Sequence, residues 1–273
     1  MTTRSPSELV RESIAGAERA LLVGPGPATV RALVAELRDR RTGDAPPPQS
    51  VRLLCTPETV DAALDDFLVA ADAADAMEAG RLAVRTAAVE SSLAIVDGRA
   101  MAQFSLPAAG PAPATVLGAS GGGAVDGPLA AAYEDRWDGA DEVSVDTPGR
   151  ETVLDTFADR WPDAAPDLAA LFDAVGPGTG DEPLDHVTAC TLVAARNRLL
   201  AMRLGDWAES VGVSSRTEVA RAKARLVDAG VVDTVREPVG VGRPRHRLVP
   251  ADDRLADADP SELHAAVGVD LRG

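Results

Sequence analysis

The strongest constraint on the fold lies between residues 204 and 230, where residues that start and stop helices divide the chain. Ser215-Arg-Thr-Glu218 has the spacing of a capping box, in which serine and glutamate each bond a free backbone N–H group at a helix start. Gly212 lies just before it, where a tight turn needs a positive φ angle. Gly230 is typical of the residue that follows a helix C-terminus. The spacing predicts two helices, over 204–211 and 215–229, joined by a tight turn.

The segments on either side of these two helices have the pattern of a further helix and two strands. A helix is predicted over 184–200, and strands over 231–235 and 246–249 are separated by a glycine- and proline-containing loop. Ala208, four residues before Gly212, is a small residue of the kind found where two helices approach closely. Residues 183–250 therefore predict a winged helix-turn-helix, an α+β fold. The pattern resembles that of bacterial and archaeal transcription regulators of this class.

The charge of this segment differs from that of the rest of the chain. Between Arg196 and Arg247 there are eleven basic and six acidic residues, so the segment carries +5 while the remainder carries −21. One basic region in a strongly acidic protein is typical of a surface that binds a polyanion. The sequence therefore predicts double-stranded promoter DNA as the partner.

The helix that begins at Ser215 is the predicted recognition helix. Val219, Ala222 and Leu226 have the spacing of a buried face, and the opposite face is expected to enter the major groove. Wing-tip arginines are expected to contact phosphate or the adjacent minor groove, whereas His246 is expected to pack beside Leu248. The predicted DNA-contacting residues are Ser215, Arg216, Thr217, Arg221 and Arg225 on the helix, with Arg243 and Arg245 on the wing.

The overall composition favours a halophilic, cytoplasmic protein. The formal net charge is −16, and Lys223 is the only lysine among 27 basic residues. A highly charged acidic surface keeps a protein soluble in a salt-rich cytosol. No apolar run approaches the roughly 18 residues of a membrane span. The N-terminus lacks the layout of a secretion signal, so we expect no membrane partner.

Residues 1–148 alternate between helical and strand-like patterns, which predicts an α/β domain around a mixed sheet. Asp97-Gly98-Arg99 separates two short apolar runs and indicates a hairpin. We expect 149–182 to form a helical connector and linker, and 251–273 a C-terminal tail. The predicted helices of the first domain are 7–19, 29–40, 57–75 and 127–137, and its strands are 20–23, 51–55, 81–85, 93–96, 100–104 and 114–117.

The first domain lacks the residues of common catalytic sites. Gly24-Pro-Gly26 follows a strand, but the third glycine of a dinucleotide-binding loop is missing, and prolines remove N–H groups that a pyrophosphate would use. A P-loop needs a lysine that this domain does not contain. The three histidines and two cysteines form no metal-binding cluster, and Cys55 and Cys190 are too widely spaced to indicate a disulfide framework. We expect no enzymatic activity, no cofactor and no metal.

The order of elements ending in Leu93-Ala-Ile-Val-Asp97 is similar to the phospholipase-D-like sensor domain of TrmB regulators. Catalytic relatives carry a His-x-Lys-x4-Asp run, and with Asp97 at its aspartate, Glu90 and Ser92 replace the histidine and lysine. The resemblance therefore implies a non-catalytic binding scaffold. With the winged helix and the acidic, lysine-poor composition, the whole chain resembles the TbsP-type haloarchaeal regulators. This implies a transcription regulator that responds to a sugar or another small metabolite.

We expect a homodimer, because winged-helix dimers place two recognition helices about 34 Å apart on one face of DNA. Two alternatives remain open at this point. One is a metabolic enzyme with an accessory winged helix, and the other is an adaptor whose winged helix binds another protein.

Overall fold

The computed structural model describes most of the chain as two compact units, residues 1–146 and 147–273. The residues described are 10, 14, 17–42, 50–90, 92–97, 99–106, 114–119, 126–175, 184–237, 245–251 and 253–266. None of the helices in these ranges is long and apolar enough to cross a bilayer. The elements of the first unit are β1 (Arg19–Val23), α1 (Pro27–Thr42), β2 (Ser50–Cys55), α2 (Pro57–Ala63), α3 (Phe67–Glu78), β3 (Leu82–Thr86), β4 (Leu93–Val96), β5 (Arg99–Leu106), β6 (Ala114–Ala119), α4 (Asp126–Asp138) and β7 (Asp141–Glu142).

The first unit is built on a mixed sheet with the strand order β6-β5-β4-β1-β2-β3-β7. β1, β2 and β3 run parallel, and the remaining pairs are antiparallel. Parallel neighbours need a crossover, and α1 connects β1 to β2 while α2 and α3 connect β2 to β3. The predicted mixed α/β domain is confirmed. The two-residue edge strand β7 was not predicted, because so short a segment has no periodicity to read.

Apolar side chains cover both faces of this sheet. On one face, alternate residues of β1 and β2 such as Leu22 and Leu53 join the buried residues of α1, α2 and α3. On the other face, Leu21 and Ile95 pack with Trp137 of α4. Successive strand residues point to opposite faces, so the two cores form on either side of one sheet.

Two local features of the first unit test the sequence reading. β4 and β5 pair antiparallel with Val96 opposite Arg99, which confirms the predicted hairpin. The single helix predicted over 57–75 is wrong, because α2 ends at Ala63 and α3 begins at Phe67. The carboxylate of Asp66 accepts hydrogen bonds from the N–H groups of Leu68 and Val69, and this N-cap starts a second helix.

The second unit contains mainly helices and one hairpin. Its last turn of helix follows a short 3-10 segment, Pro260–Glu262. The elements are α5 (Arg150–Arg160), α6 (Ala165–Ala174), α7 (His186–Arg196), α8 (Ala201–Val211), α9 (Arg216–Asp228), β8 (Val232–Glu237), β9 (Arg245–Pro250), α10 (Asp253–Asp257) and α11 (Leu263–Ala266).

An aromatic cluster connects α5 to α8. Ring centroids lie 5.0 Å apart between Phe157 and Trp207, and 6.0 Å apart between Trp161 and Trp207. The indole N–H of the fully buried Trp207 donates to the hydroxyl of Thr156 at 3.2 Å. The first helix of the helix-turn-helix therefore packs on α5, inside the same unit.

The helix predicted over 184–200 is shorter than expected. α7 ends at Arg196, and Arg198 has a φ angle of +54°. The chain then pairs with the hairpin, since the N–H of Leu248 donates to the carbonyl of Leu199 at 2.9 Å. These extended residues leave the helix because they join the edge of β9.

Candidate nucleic-acid interface

The turn between α8 and α9 depends on Gly212. This residue ends α8 with a φ angle of +84°, the left-handed conformation that the spacing predicted. The N–H of Val213 donates to the carbonyl of Ala208 at 2.8 Å, which closes the turn. A ring nitrogen of His186 lies 3.0 Å from the carbonyl oxygen of Val213 and connects the start of α7 to it.

Gly205 lies where α8 faces the start of α9. A Cβ atom built on Gly205 would lie 3.5 Å from Cγ and 3.6 Å from Cβ of Arg216. Ala208, which the sequence singled out for a close approach of two helices, is also fully buried. Sequence reasoning gave Gly205 no role, although a glycine inside a helical pattern is costly and can mark a helix contact.

The capping box at the start of α9 is present as predicted. The Ser215 hydroxyl accepts from the N–H of Glu218 at 3.1 Å, and the Glu218 carboxylate accepts from the N–H of Ser215 at 3.2 Å. The Ser214 hydroxyl donates to the same carboxylate at 2.8 Å. Hydrogen bonds from Ser214 and then Ser215 lower the pKa of Glu218 below its ordinary value. The Ser215 hydroxyl therefore already bonds within the protein and fixes where the helix begins.

The two faces of α9 have the predicted division. Val219, Ala222 and Leu226 are buried. The opposite face carries small residues between its arginines, so the arginines project beyond their neighbours. The exposed residues of this face are Thr217, Ala220, Arg221, Ala224 and Arg225.

The arginines of α9 differ in their partners. Nε of Arg216 lies 2.8 Å from the carboxylate of Glu209 and 3.3 Å from that of Asp206, both on α8. The guanidinium of Arg225 lies 3.3 Å from the carboxylate of Asp185, the N-cap of α7. These pairs are exposed, so each contributes little to stability and can exchange with another anion.

Arg221 has no such partner. Its side chain is exposed, and it forms no hydrogen bond or ion pair with any described residue. Its guanidinium is near enough to Glu218 to lower the pKa of that carboxyl slightly. Among the arginines of α9 it is the one most available to an external acceptor.

The wing is a two-stranded antiparallel hairpin in which Glu237 is opposite Arg245. Arg247 bonds the Glu237 carboxylate at 2.7 Å and the carbonyl of Arg198, which holds the hairpin to the end of α7. Arg245 is partly exposed. Arg243, the other predicted wing contact, lies outside the described residues.

The expectation that His246 packs into the wing is wrong. Leu248 on the same strand face is fully buried, whereas His246 is exposed opposite Arg236. Packing ends at Leu248 because His246 lies two residues closer to the tip of the hairpin.

Not every arginine of the basic segment faces outward. Arg196 bonds the Asp167 carboxylate at 3.0 Å and three carbonyls at the end of α10, those of Leu255, Ala256 and Ala258. This side chain secures the C-terminal segment to α7. Conversely, three further arginines are exposed without an ion pair to a described residue, and sequence reasoning gave them no role. They are Arg198, Arg203 and Arg236.

Potential metal ligands are not gathered anywhere in the part of the chain that the structure describes. Both cysteines are free and buried. Burial raises the pKa of Cys55 to about 11 and also raises that of Cys190.

Family comparisons cover both units. Residues 1–148 match the family model described as "Transcriptional regulator TbsP-like, N-terminal", and residues 149–268 match "Transcriptional regulator TbsP-like, C-terminal HTH domain". Searches of curated proteins and of solved structures gave no significant match.

Proposed function

Because the chain belongs to the TbsP-like transcriptional regulators, a family of regulators and not of enzymes, we propose that it reads promoter DNA sequence-specifically through α9. The observation that carries this proposal is the exposed polar face of α9, on which Arg221 has no partner among the described residues. A helix about 10–12 Å wide fits the major groove, where arginine makes paired hydrogen bonds to guanine.

The contacts are proposed from the positions of the described side chains, except for Arg243, whose contact is proposed from the sequence. Arg221 binds a guanine edge, and Thr217 contacts a base or phosphate one turn earlier. Arg216 and Arg225 exchange their carboxylate partners for phosphate or base acceptors on binding. Ser215 lies at the tip of the helix that enters the groove, and Arg243 and Arg245 on the wing contact phosphate or the minor groove.

The acidic composition supports a halophilic, cytoplasmic setting for this activity. At near-molar salt the Debye length is about 3 Å, so charge attracts DNA only at short range. Arginine suits direct contacts because its planar guanidinium is more weakly hydrated than an ammonium group. We propose a homodimer that binds two half-sites about 34 Å apart, which adds affinity without long-range steering.

Residues 1–148 are proposed to sense the effector, a sugar or another small metabolite. The resemblance to a phospholipase-D-like scaffold without its catalytic histidine and lysine supports binding rather than turnover. Residues 149–182 would then couple this domain to the winged helix at 183–250. A helix-turn-helix used only to bind another protein is the competing proposal.

The test is DNA binding by Arg221→Ala and by the double variant Arg221→Ala plus Arg225→Ala. A duplex site would first be selected from random DNA by the unmodified chain. A lost bidentate contact is worth about 1–3 kcal/mol, so Arg221→Ala should weaken binding by about 5- to 150-fold. Arg160→Ala, an exposed arginine of α5, is the matched control.

The affinities are measured by mobility shift in high-salt buffer. A loss in the α9 variants with an unchanged control supports the proposal. Undiminished binding by the double variant would overturn the recognition-helix assignment and favour the protein-binding alternative.

A further inference from the structure

A row of polar side chains lies at one end of the central strands of the first unit's sheet, where β1 and β2 begin and β4 ends. Arg19 is opposite Ser50 in the β1–β2 register, and Leu21 is opposite Arg52. On the other side Leu21 pairs with Ile95, two residues before Asp97. Because side chains two residues apart share a sheet face, these polar groups project on the face that α4 covers.

The polar row and α4 enclose a cleft of about 80 Å³ with an apolar floor. Leu21, Ile95 and Ala130 form the floor, and Arg19, Arg52 and Glu134 belong to the rim. An apolar base with a few polar groups is the usual composition of a small-molecule site. The volume has room for about six water-sized groups, which suits a molecule of the size of a three-carbon acid.

Part of the rim is held in place before any ligand arrives. Arg52 lies 2.6 Å from the Glu134 carboxylate and 5.5 Å from the centre of the Trp137 ring. One carboxylate oxygen of Asp97 accepts from the N–H groups of Glu18 and Arg19, at 3.1 and 3.0 Å. A preorganised rim lowers the ordering cost of binding.

The side chain of Arg19 has no partner among the residues that the structure describes. Its side chain is exposed and forms no hydrogen bond or ion pair with a described residue, although its backbone N–H and carbonyl both bond Asp97. Its guanidinium is therefore available to an anion, while Ser50, Asp97 and Glu134 offer donors and acceptors for hydroxyl groups.

We propose that this cleft binds a small hydroxy acid of about three carbons. Arg19 and Arg52 bind its carboxylate, and Ser50 and Asp97 bond its hydroxyls. The inference rests on the proposed metabolite response and assigns that response a site. A neutral polyol would leave Arg19 unpaired, and an acid without hydroxyls would leave the acceptors unused.

The experiment titrates the full chain with D-glycerate, glycerol and propionate by calorimetry in the absence of DNA. All three probes have three carbons. D-glycerate carries a carboxylate and hydroxyls, glycerol carries hydroxyls alone, and propionate carries a carboxylate alone. D-glycerate should bind at least about tenfold more tightly than either of the others. Glycerol would lose the charge-assisted pair with arginine, and propionate would lose the hydroxyl contacts. Equal affinities for the three probes would overturn the proposal. So would the absence of D-glycerate binding at about 10 mM.

Variants locate the site. Arg19→Gln and Ser50→Ala should each weaken D-glycerate binding, the former by about tenfold or more, whereas Arg160→Gln in the other unit should not. Unchanged thermal midpoints would establish that the variants are folded. Retained affinity in both cleft variants would place the ligand elsewhere. Because the titration contains no DNA, its outcome is independent of whether α9 binds DNA.

Discussion

At the scale of single residues, side chains with similar sequence signals have different uses. Arg196 and Arg221 both contribute to the basic segment, but Arg196 bonds the end of α10 and Arg221 faces outward. The net charge of the segment predicted that both arginines belong to a surface that binds a polyanion. Arg196 stabilises the fold through carbonyls about 60 residues away along the chain. No local sequence pattern predicts such a distant partner.

Glu218 provides a residue-scale prediction that depends on pH. Its folded-state pKa lies below the ordinary value of 4.5, so the bonds from Ser214 and Ser215 stabilise the fold at neutral pH and are lost as pH falls below 4.5. Glu218→Ala should lower the free energy of unfolding by about 1 kcal/mol at pH 7. The difference in free energy of unfolding between Glu218→Ala and the unmodified chain should shrink as the pH falls below 4.5.

Urea unfolding between pH 7 and 3 measures this effect. Glu78→Ala, at an exposed position in α3, is the control. A difference between Glu218→Ala and the unmodified chain that stayed constant with pH would contradict the role given to the capping carboxylate.

At the scale of elements, the two glycines of the α8–α9 pair differ in what they require. Gly212 needs its positive φ angle of +84°, whereas Gly205 needs only limited space near Arg216. Gly212→Ala should therefore destabilise the protein by about 1–2 kcal/mol. Gly205→Ala should be neutral or stabilising by up to about 1 kcal/mol, because alanine favours a helix and a contact at 3.5 Å is ordinary.

Thermal or urea unfolding of the two variants tests the contrast, and each serves as the control for the other. Gly205→Leu should be destabilising, since a larger side chain would collide with the backbone of Arg216. Equal losses for both alanine variants would show that the crossing is tighter than the structure indicates.

The carboxylates beside α9 give a second prediction for this element. Asp206 and Glu209 hold Arg216, and they also place negative charge near the expected path of DNA. Asp206→Asn plus Glu209→Gln should raise DNA affinity by about 3- to 30-fold, while changing stability by less than about 1 kcal/mol.

Fluorescence anisotropy with the selected site and with an unrelated duplex would measure this gain. The gain should be larger for the unrelated duplex, because charge repulsion acts on any sequence. Asp155→Asn on the exposed side of α5 is the control. A lower affinity in the double variant would mean that the ion pairs serve to orient Arg216 for binding.

At the scale of the whole molecule, opposite charges are concentrated in different stretches of the chain. The segment from Arg196 to Arg247 carries +5 and the remainder −21. The net charge of −16 opposes long-range attraction to DNA, so we expect phosphate contacts from side chains that meet DNA directly. Arg198, Arg203 and Arg236 are exposed and unpaired among the described residues, which suits them to that role.

Arg203→Ala tests this role through the salt dependence of binding. Removing one phosphate contact should weaken binding similarly for all sequences and reduce the slope of log affinity against log salt by about 1. Anisotropy titrations over a range of potassium chloride concentrations measure the slope, with Arg160→Ala as control. An unchanged slope would remove Arg203 from the interface.

Local signals were sufficient for much of the fold. The capping box at Ser215, the left-handed Gly212 and the hairpin at Asp97 each involve only a few neighbouring residues, and all three are present. The division of α9 into a buried and an exposed face also follows from a single helical period. These features could be read directly because their physical causes act within one or two turns of chain.

Long-range packing settled the rest. The pairing of Arg216 and Arg225 with carboxylates on α8 and α7, and the role of Gly205 at the helix crossing, required the helices to be placed against one another. The cleft at the end of the central strands brings together β1, β2, β4 and α4, which are separated by up to about a hundred residues. Contacts of this kind arise from burial and register between distant segments, so no spacing along the chain encodes them by itself.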